Sequence, residues 1–220
     1  MAVEERFSVS LQGGGSVGAI RLVPDLERSE ALFIYAPGAG SNLNDPFGAY
    51  AGRVLAQAGV ETWRFQFPYM EAKRGAPDRP GLLEATWRAV AEQGLAASPR
   101  VVIGGRSMGG RIASQVVAQK LPVAGLALFA YPLHPPGRPE QRRDAHLSAV
   151  TVSTLFCSGT RDTYATPDEL AAASALVSGS TIHLLDGADH GFNVLKASGR
   201  TREQVWAEAT QALLTFLSHL

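Results

Sequence analysis

Six short apolar runs, each followed by an amphipathic stretch at helical spacing, constrain this chain more than any other feature. The runs cover residues 31–36, 60–67, 100–104, 123–131, 151–157 and 180–185, and the helical patterns cover 45–57, 81–93, 108–120, 140–147, 167–177 and 201–217. Strands that are apolar throughout are buried on both faces, and regular alternation with helices implies a mostly parallel sheet covered on both sides. Two alternating segments, 6–12 and 16–23, flank Gly13-Gly14-Gly15 and predict an opening hairpin, which brings the sheet to about eight strands. Thr166-Pro167-Asp168-Glu169 supplies an N-cap, a first-turn proline and a capping-box glutamate. Gly59 and Gly94 are placed to stop the helices before them. No internal repeat or low-complexity linker divides the chain, so residues 1–220 read as a single domain. The proline-rich stretch 131–139 reads as a surface excursion too short to hold a large cap.

With 45% hydrophobic and 18% charged residues, 220 residues can bury a sizeable core. Lysine plus arginine equal aspartate plus glutamate at 20 each, which gives nucleic acid or an anionic membrane no electrostatic footing as a partner. The opening MAVEERFSVS lacks the basic-then-apolar form of a secretory signal, and the longest nearly apolar run, 121–131, is shorter than the roughly 20 residues a bilayer helix needs. A cytoplasmic protein, monomer or homodimer, is the expectation. The single cysteine, Cys157, cannot form an internal disulfide or a cysteine metal cage and reads as a buried core thiol.

"GGRSMGG", residues 104–110, joins an apolar strand to a helical pattern. Gly105-Arg106-Ser107-Met108-Gly109 fits G-x-S-x-G at such a turn, where a serine is thrust out at the carboxyl end of the sheet and flanking glycines avoid collisions with neighbouring backbone. Ser107 is therefore the candidate nucleophile. A serine hydroxyl is too weakly acidic to attack a carbonyl unaided and needs a base, oriented by a carboxylate. His190, in DGADHGF beyond the last strand, is the candidate base, and Asp162, in SGTRDT after the strand at 151–157, the candidate acid. His183 reads as a packing residue inside a strand, whereas His146 and Asp144 fall on an exposed helix and His219 at the solvated chain end. Asp186 and Asp189 are too near His190 in sequence to reach its far nitrogen easily.

An oxyanion needs two preorganised backbone donors. Met108, the residue after the nucleophile, offers one. The loop Ala36-Pro37-Gly38-Ala39-Gly40-Ser41-Asn42 offers the other, from Ala39 or else Gly38. Phe47, Tyr50, Tyr69, Met70, Leu133, His134 and Phe192 lie on or near strand-exit loops and are the candidate substrate contacts, forming a partly apolar cleft for a short acyl chain or aromatic ester. Lys73, Arg74 and Arg79 read as a solvated charged loop.

Taken with "YAPGAG", "YPLHPPGRP", "SGTRD" and "DHGF", these motifs make the chain resemble a small α/β-hydrolase of the dienelactone-hydrolase-like group, over nearly its whole length. The resemblance implies an α/β-hydrolase fold without a large cap, Ser107, Asp162 and His190 as triad, and a small-molecule ester substrate, with no metal or organic cofactor. Dienelactone hydrolases carry a cysteine where this chain has Ser107, and many lipases carry HG or HGGG where it has APGAG, so neither specificity transfers. A carboxylesterase is the first reading; a thioesterase or peptidase with the same triad, or a noncatalytic scaffold that binds a small ligand or protein, are the alternatives.

Overall fold

Gly13, Gly14 and Gly15 all take positive φ, between 84° and 102°, and through them β1 (Val3–Ser10) turns back onto β2 (Ser16–Val23) with Ser10 opposite Ser16. The structure, a computed structural model, describes residues 2–25 and 29–220. Beyond the hairpin come β3 (Ala31–Ala36), α1 (Pro46–Gln57), β4 (Glu61–Phe65), α2 (Pro68–Glu71) and α3 (Pro80–Ala97). There follow β5 (Arg100–Arg106), α4 (Met108–Ala118), β6 (Gly125–Phe129), β7 (Ser153–Gly159), α5 (Pro167–Ser174), β8 (Ser180–Leu185) and α6 (Arg202–Ser218). One sheet runs β1-β2-β4-β3-β5-β6-β7-β8. Only β2 opposes its neighbours; from β4 to β8 every pairing is parallel.

Side chains alternate across the sheet and so build two cores. On β3, Ala31, Phe33 and Tyr35 join α1 and α6 on one face, while Leu32, Ile34 and Ala36 join α3, α4 and α5 on the other. Each fully buried large side chain, such as Phe33, Phe156 or Trp87, contributes about 1.5–3 kcal/mol. Cys157 faces the α6 side, 1% exposed, and burial pushes its thiol up, out of reach of ordinary thiol chemistry. Thr166 and Glu169 form the expected capping box on α5, and Gly59 follows α1 with φ 82°.

Three local expectations are corrected. Gly94 does not end α3, which continues to Ala97; a side chain there would meet Ile34 Cδ1 at 2.5 Å, so glycine lets the helix lie close on β3. No helix forms over residues 140–147. Backbone groups of that segment are committed to tertiary partners instead, with Arg143 N–H donating to Leu133 O (2.8 Å) and Arg143 O accepting from Tyr131 Oη (2.8 Å), and only a 3-10 turn at Leu147–Ala149 follows. His146 is accordingly half-buried, bonded to Ser114 Oγ at 2.7 Å, and burial lowers its basicity. Asp144 lies in the same loop and pairs with Arg142. His183 sits on the edge strand β8, half-exposed, and meets Glu208 of α6 at 3.0 Å rather than packing in a core. The connection between β6 and β7 holds no larger structure than that 3-10 turn, so no large cap covers the carboxyl edge of the sheet. Among the described residues no helix is long and apolar enough to cross a membrane.

Candidate active site

The carboxyl ends of β3, β5, β7 and β8 deliver four loops to one place, the usual location of a ligand site on a parallel sheet. From β5 the chain enters α4 through Ser107, whose φ of 52° and ψ of −121° are unfavourable for any residue with a Cβ. Ser107 N–H donates to Phe129 O (2.8 Å), fastening the turn to β6. The turn is possible only because its glycines touch backbone: a Cβ on Gly105 would meet Ala36 O at 2.2 Å, and one on Gly109 would meet Ala36 O at 2.3 Å and Pro37 O at 2.5 Å.

His190, on the loop after β8, places Nε2 2.9 Å from Ser107 Oγ and Nδ1 2.9 and 3.0 Å from the two carboxylate oxygens of Asp162. Asp162, on the loop after β7, is 3% exposed; its Oδ1 also accepts from Tyr164 N–H (2.8 Å) and its Oδ2 from Ser158 Oγ (3.2 Å). A carboxylate so fixed makes Nδ1 the protonated nitrogen and leaves Nε2 free to accept the serine proton. The arrangement can activate a hydroxyl for attack on a carbonyl.

Met108 opens α4, where its N–H has no intrahelical partner. Opposite it, the loop after β3 bears the amides of Gly38, Ala39 and Gly40, none of which donates to an acceptor among the described residues. Gly38 packs against Ser107, its notional Cβ 3.5 Å from the serine Cβ. Tyr69 holds this loop from below: its hydroxyl donates to Ala39 O (2.7 Å), and its own N–H donates to the buried carboxylate of Asp78 (2.8 Å), which pairs with Arg74.

A cleft of about 380 Å³ lies over Ser107, bordered by Gly38 to Ser41, Asp45, Pro46, Arg106, Tyr164, His190 and Gly191. The residues expected to contact substrate are elsewhere. Phe47 and Phe192 are fully buried, edge to face at 5.2 Å, and Leu133 is fully buried in the opposite core. Tyr69 is buried beneath the loop after β3, Met70 packs half-buried against the core, and Tyr50 leans on Trp206. Lys73, Arg74 and Arg79 are exposed and border no part of the cleft. The cleft walls are thus partly apolar as expected, but through Gly38, Ala39, Pro46 and Gly191, which alternate with the polar Ser41, Asp45, Arg106 and Tyr164.

Two neighbours of the site were missed from sequence. Tyr164 stacks on the His190 ring, centroids 4.0 Å apart and planes 26° from parallel. Its only sequence signal is its place two residues after Asp162. Such a stack contributes about 1 kcal/mol, so Tyr164→Ala is expected to lower kcat roughly 5- to 10-fold, while Tyr164→Phe keeps it, as steady-state kinetics would show. Arg106, inside the serine motif itself, is the second; its Nη2 lies 3.4 Å from Oδ1 of the buried Asp45.

His134 is 5% exposed and stands behind the Asp162 loop, its N–H bonded to Tyr164 O at 3.2 Å, with Nδ1 2.8 Å from Pro135 O and Nε2 3.3 Å from Glu169. Two acceptors favour the imidazolium: the Pro135 carbonyl raises its pKa above the usual range and Glu169 adds to this, against burial and Arg142. Glu169 is held down to about 2, chiefly by the Thr166 amide and hydroxyl, and so stays anionic. Stability from a raised histidine is fully present below about pH 6.5 and disappears as pH rises through the folded value. Melting temperature is therefore expected to fall above neutrality, with a shallower fall in His134→Asn; parallel melting curves from pH 5.5 to 9 would refute this.

Comparison with known proteins agrees with the fold. Residues 29–218 match the family described as alpha/beta hydrolase domain. An α/β serine hydrolase homologue from Coxiella burnetii superposes with a TM-score of 0.77 at 19% identity, over 95% of this chain and 97% of that one. A lidless α/β serine hydrolase from Xanthomonas campestris gives 0.75 at 19% identity over 97% and 94%. Dienelactone hydrolase from Anabaena variabilis gives 0.74 at 20% over 97% and 98%. At these identities the likeness is one of fold, and with the family match over most of its length it establishes that the chain belongs to the α/β-hydrolase family.

Proposed function

We propose that this single-domain protein is a serine hydrolase, most directly a carboxylesterase acting on small esters. The observation that carries the reading is the continuous relay from Ser107 Oγ through His190 to the buried Asp162, with hydrogen bonds of 2.9 to 3.0 Å. Ser107 Oγ attacks the ester carbonyl carbon as its proton passes to His190 Nε2. The oxyanion is received by Met108 N–H together with an amide of the opposite loop, from Ala39 or Gly38. Collapse breaks the bond to the alcohol, which leaves with the proton from Nε2 and yields an acyl-enzyme. Water then gives a proton to Nε2, attacks the acyl carbon and releases the acid, and Ser107 recovers its proton.

A fluorophosphonate probe tests the reading. Phosphonylation located at Ser107 by mass spectrometry, with turnover of p-nitrophenyl esters of two to four carbons, is the expected result. Neither labelling nor turnover would leave a noncatalytic scaffold as the better account.

A further inference from the structure

Among the described residues, Arg106 is the only lysine or arginine that borders the cleft, and it precedes the candidate nucleophile directly. Its side chain is 21% exposed. Among the described residues its guanidinium makes one ion pair, the 3.4 Å approach of Nη2 to Asp45 Oδ1, and no side-chain hydrogen bond. Its charge offsets that of the buried Asp45, whose oxygens have neutral donors as well. Oδ2 of that carboxylate accepts from Tyr35 Oη (2.7 Å) and Gly48 N–H (2.9 Å), and Oδ1 accepts from Ser41 Oγ (3.0 Å). A carboxylate satisfied by three donors leaves the planar fork of the arginine with its own donors unused at the edge of the cleft.

Resting on the hydrolase reading above, we infer that Arg106 is a carboxylate subsite, and that the preferred substrates are monoesters of short dicarboxylic acids whose free carboxylate docks on its guanidinium. The fork matches a carboxylate with two parallel hydrogen bonds, which a neutral ester group cannot offer. The shared cleft bounds the chain length. Arg106 and Ser107 border the same cleft of about 380 Å³, so an anion held by Arg106 and a carbonyl at Ser107 belong to one small molecule. A cleft of that volume has room for such a molecule. Ser41, whose hydroxyl lies beside Asp45 on the same wall, keeps this end of the cleft polar.

The test compares the monomethyl and dimethyl esters of succinic, glutaric and adipic acids, with methanol release as readout. The wild-type protein is expected to prefer the monoester over its diester at least 10-fold in kcat/KM, per ester bond, for one or more of the acids. Arg106→Gln should bring that ratio to about one. Arg106→Lys, which keeps a cation beside Asp45 but loses the fork, should fall between, and it guards against a folding defect in the glutamine variant. Equal use of both esters by the wild-type protein, or a preference that survives in Arg106→Gln, overturns the subsite and leaves the esterase standing. Failure to hydrolyse any of the six also overturns it, and the Ser107 labelling then decides whether the hydrolase reading falls too.

Discussion

Replacing Ser107 by alanine is expected to lower kcat for p-nitrophenyl acetate by about 10⁵- to 10⁶-fold, the scale seen when a triad nucleophile is removed and only transition-state binding remains. The fold should be untouched, because alanine keeps the Cβ that makes φ 52° and ψ −121° costly and loses only the hydroxyl. Ser107→Gly separates chemistry from strain. It should be as inactive as the alanine variant yet more stable by about 1–2 kcal/mol, since glycine reaches positive φ without the penalty. For a chain of this size that raises the melting temperature by roughly 2–8 °C. Activity in Ser107→Ala within 10-fold of wild type would sink the mechanism, and a glycine variant that melts at or below the alanine variant would sink the strain argument.

Asp162→Asn is expected to reduce kcat by about 10⁴-fold with little change in KM. Both carboxylate oxygens of Asp162 face donors: Tyr164 N–H on one side, Ser158 Oγ on the other, and His190 Nδ1 close to each. An asparagine must turn its NH₂ toward one of these positions. If the NH₂ replaces Oδ1 it opposes the Tyr164 N–H, so the favoured orientation puts it at Oδ2, where Ser158 can accept. From there it also favours an unprotonated Nδ1, which shifts the ring proton to Nε2 and aims a donor at Ser107 instead of an acceptor. Steady-state kinetics on the variant, with circular dichroism to verify the fold, decide the matter; a loss smaller than 10-fold would mean that the carboxylate does not govern the tautomer.

The sheet was legible because β3, β5 and β7 are short, apolar and each followed by a helix, and the turn at Ser107 because glycines are obligatory wherever backbone lies 2.2–2.5 Å from a notional Cβ. Ser107, Asp162 and His190 could be proposed from chain order and from their place at strand exits. The cleft walls could not. Phe47 and Phe192 follow strands just as a substrate contact would, yet each finds an aromatic partner from a distant segment and turns inward. Arg106 and Tyr164 show no special spacing, and their roles come from Asp45 and His190, which lie 61 and 26 positions away and meet them only in the folded chain. The loop at 140–147 failed for a related reason, as its backbone bonds close on Tyr131 and Leu133 rather than on its own next turn.

The absence of a large cap over the carboxyl edge has a kinetic meaning. No domain has to swing aside before substrate enters or product leaves, so the cycle lacks the gating step that limits many lidded hydrolases. In the proposed esterase, turnover is then expected to be set by making and breaking the acyl bond, and discrimination to arise at the cleft itself, around Ser41, Asp45 and Arg106.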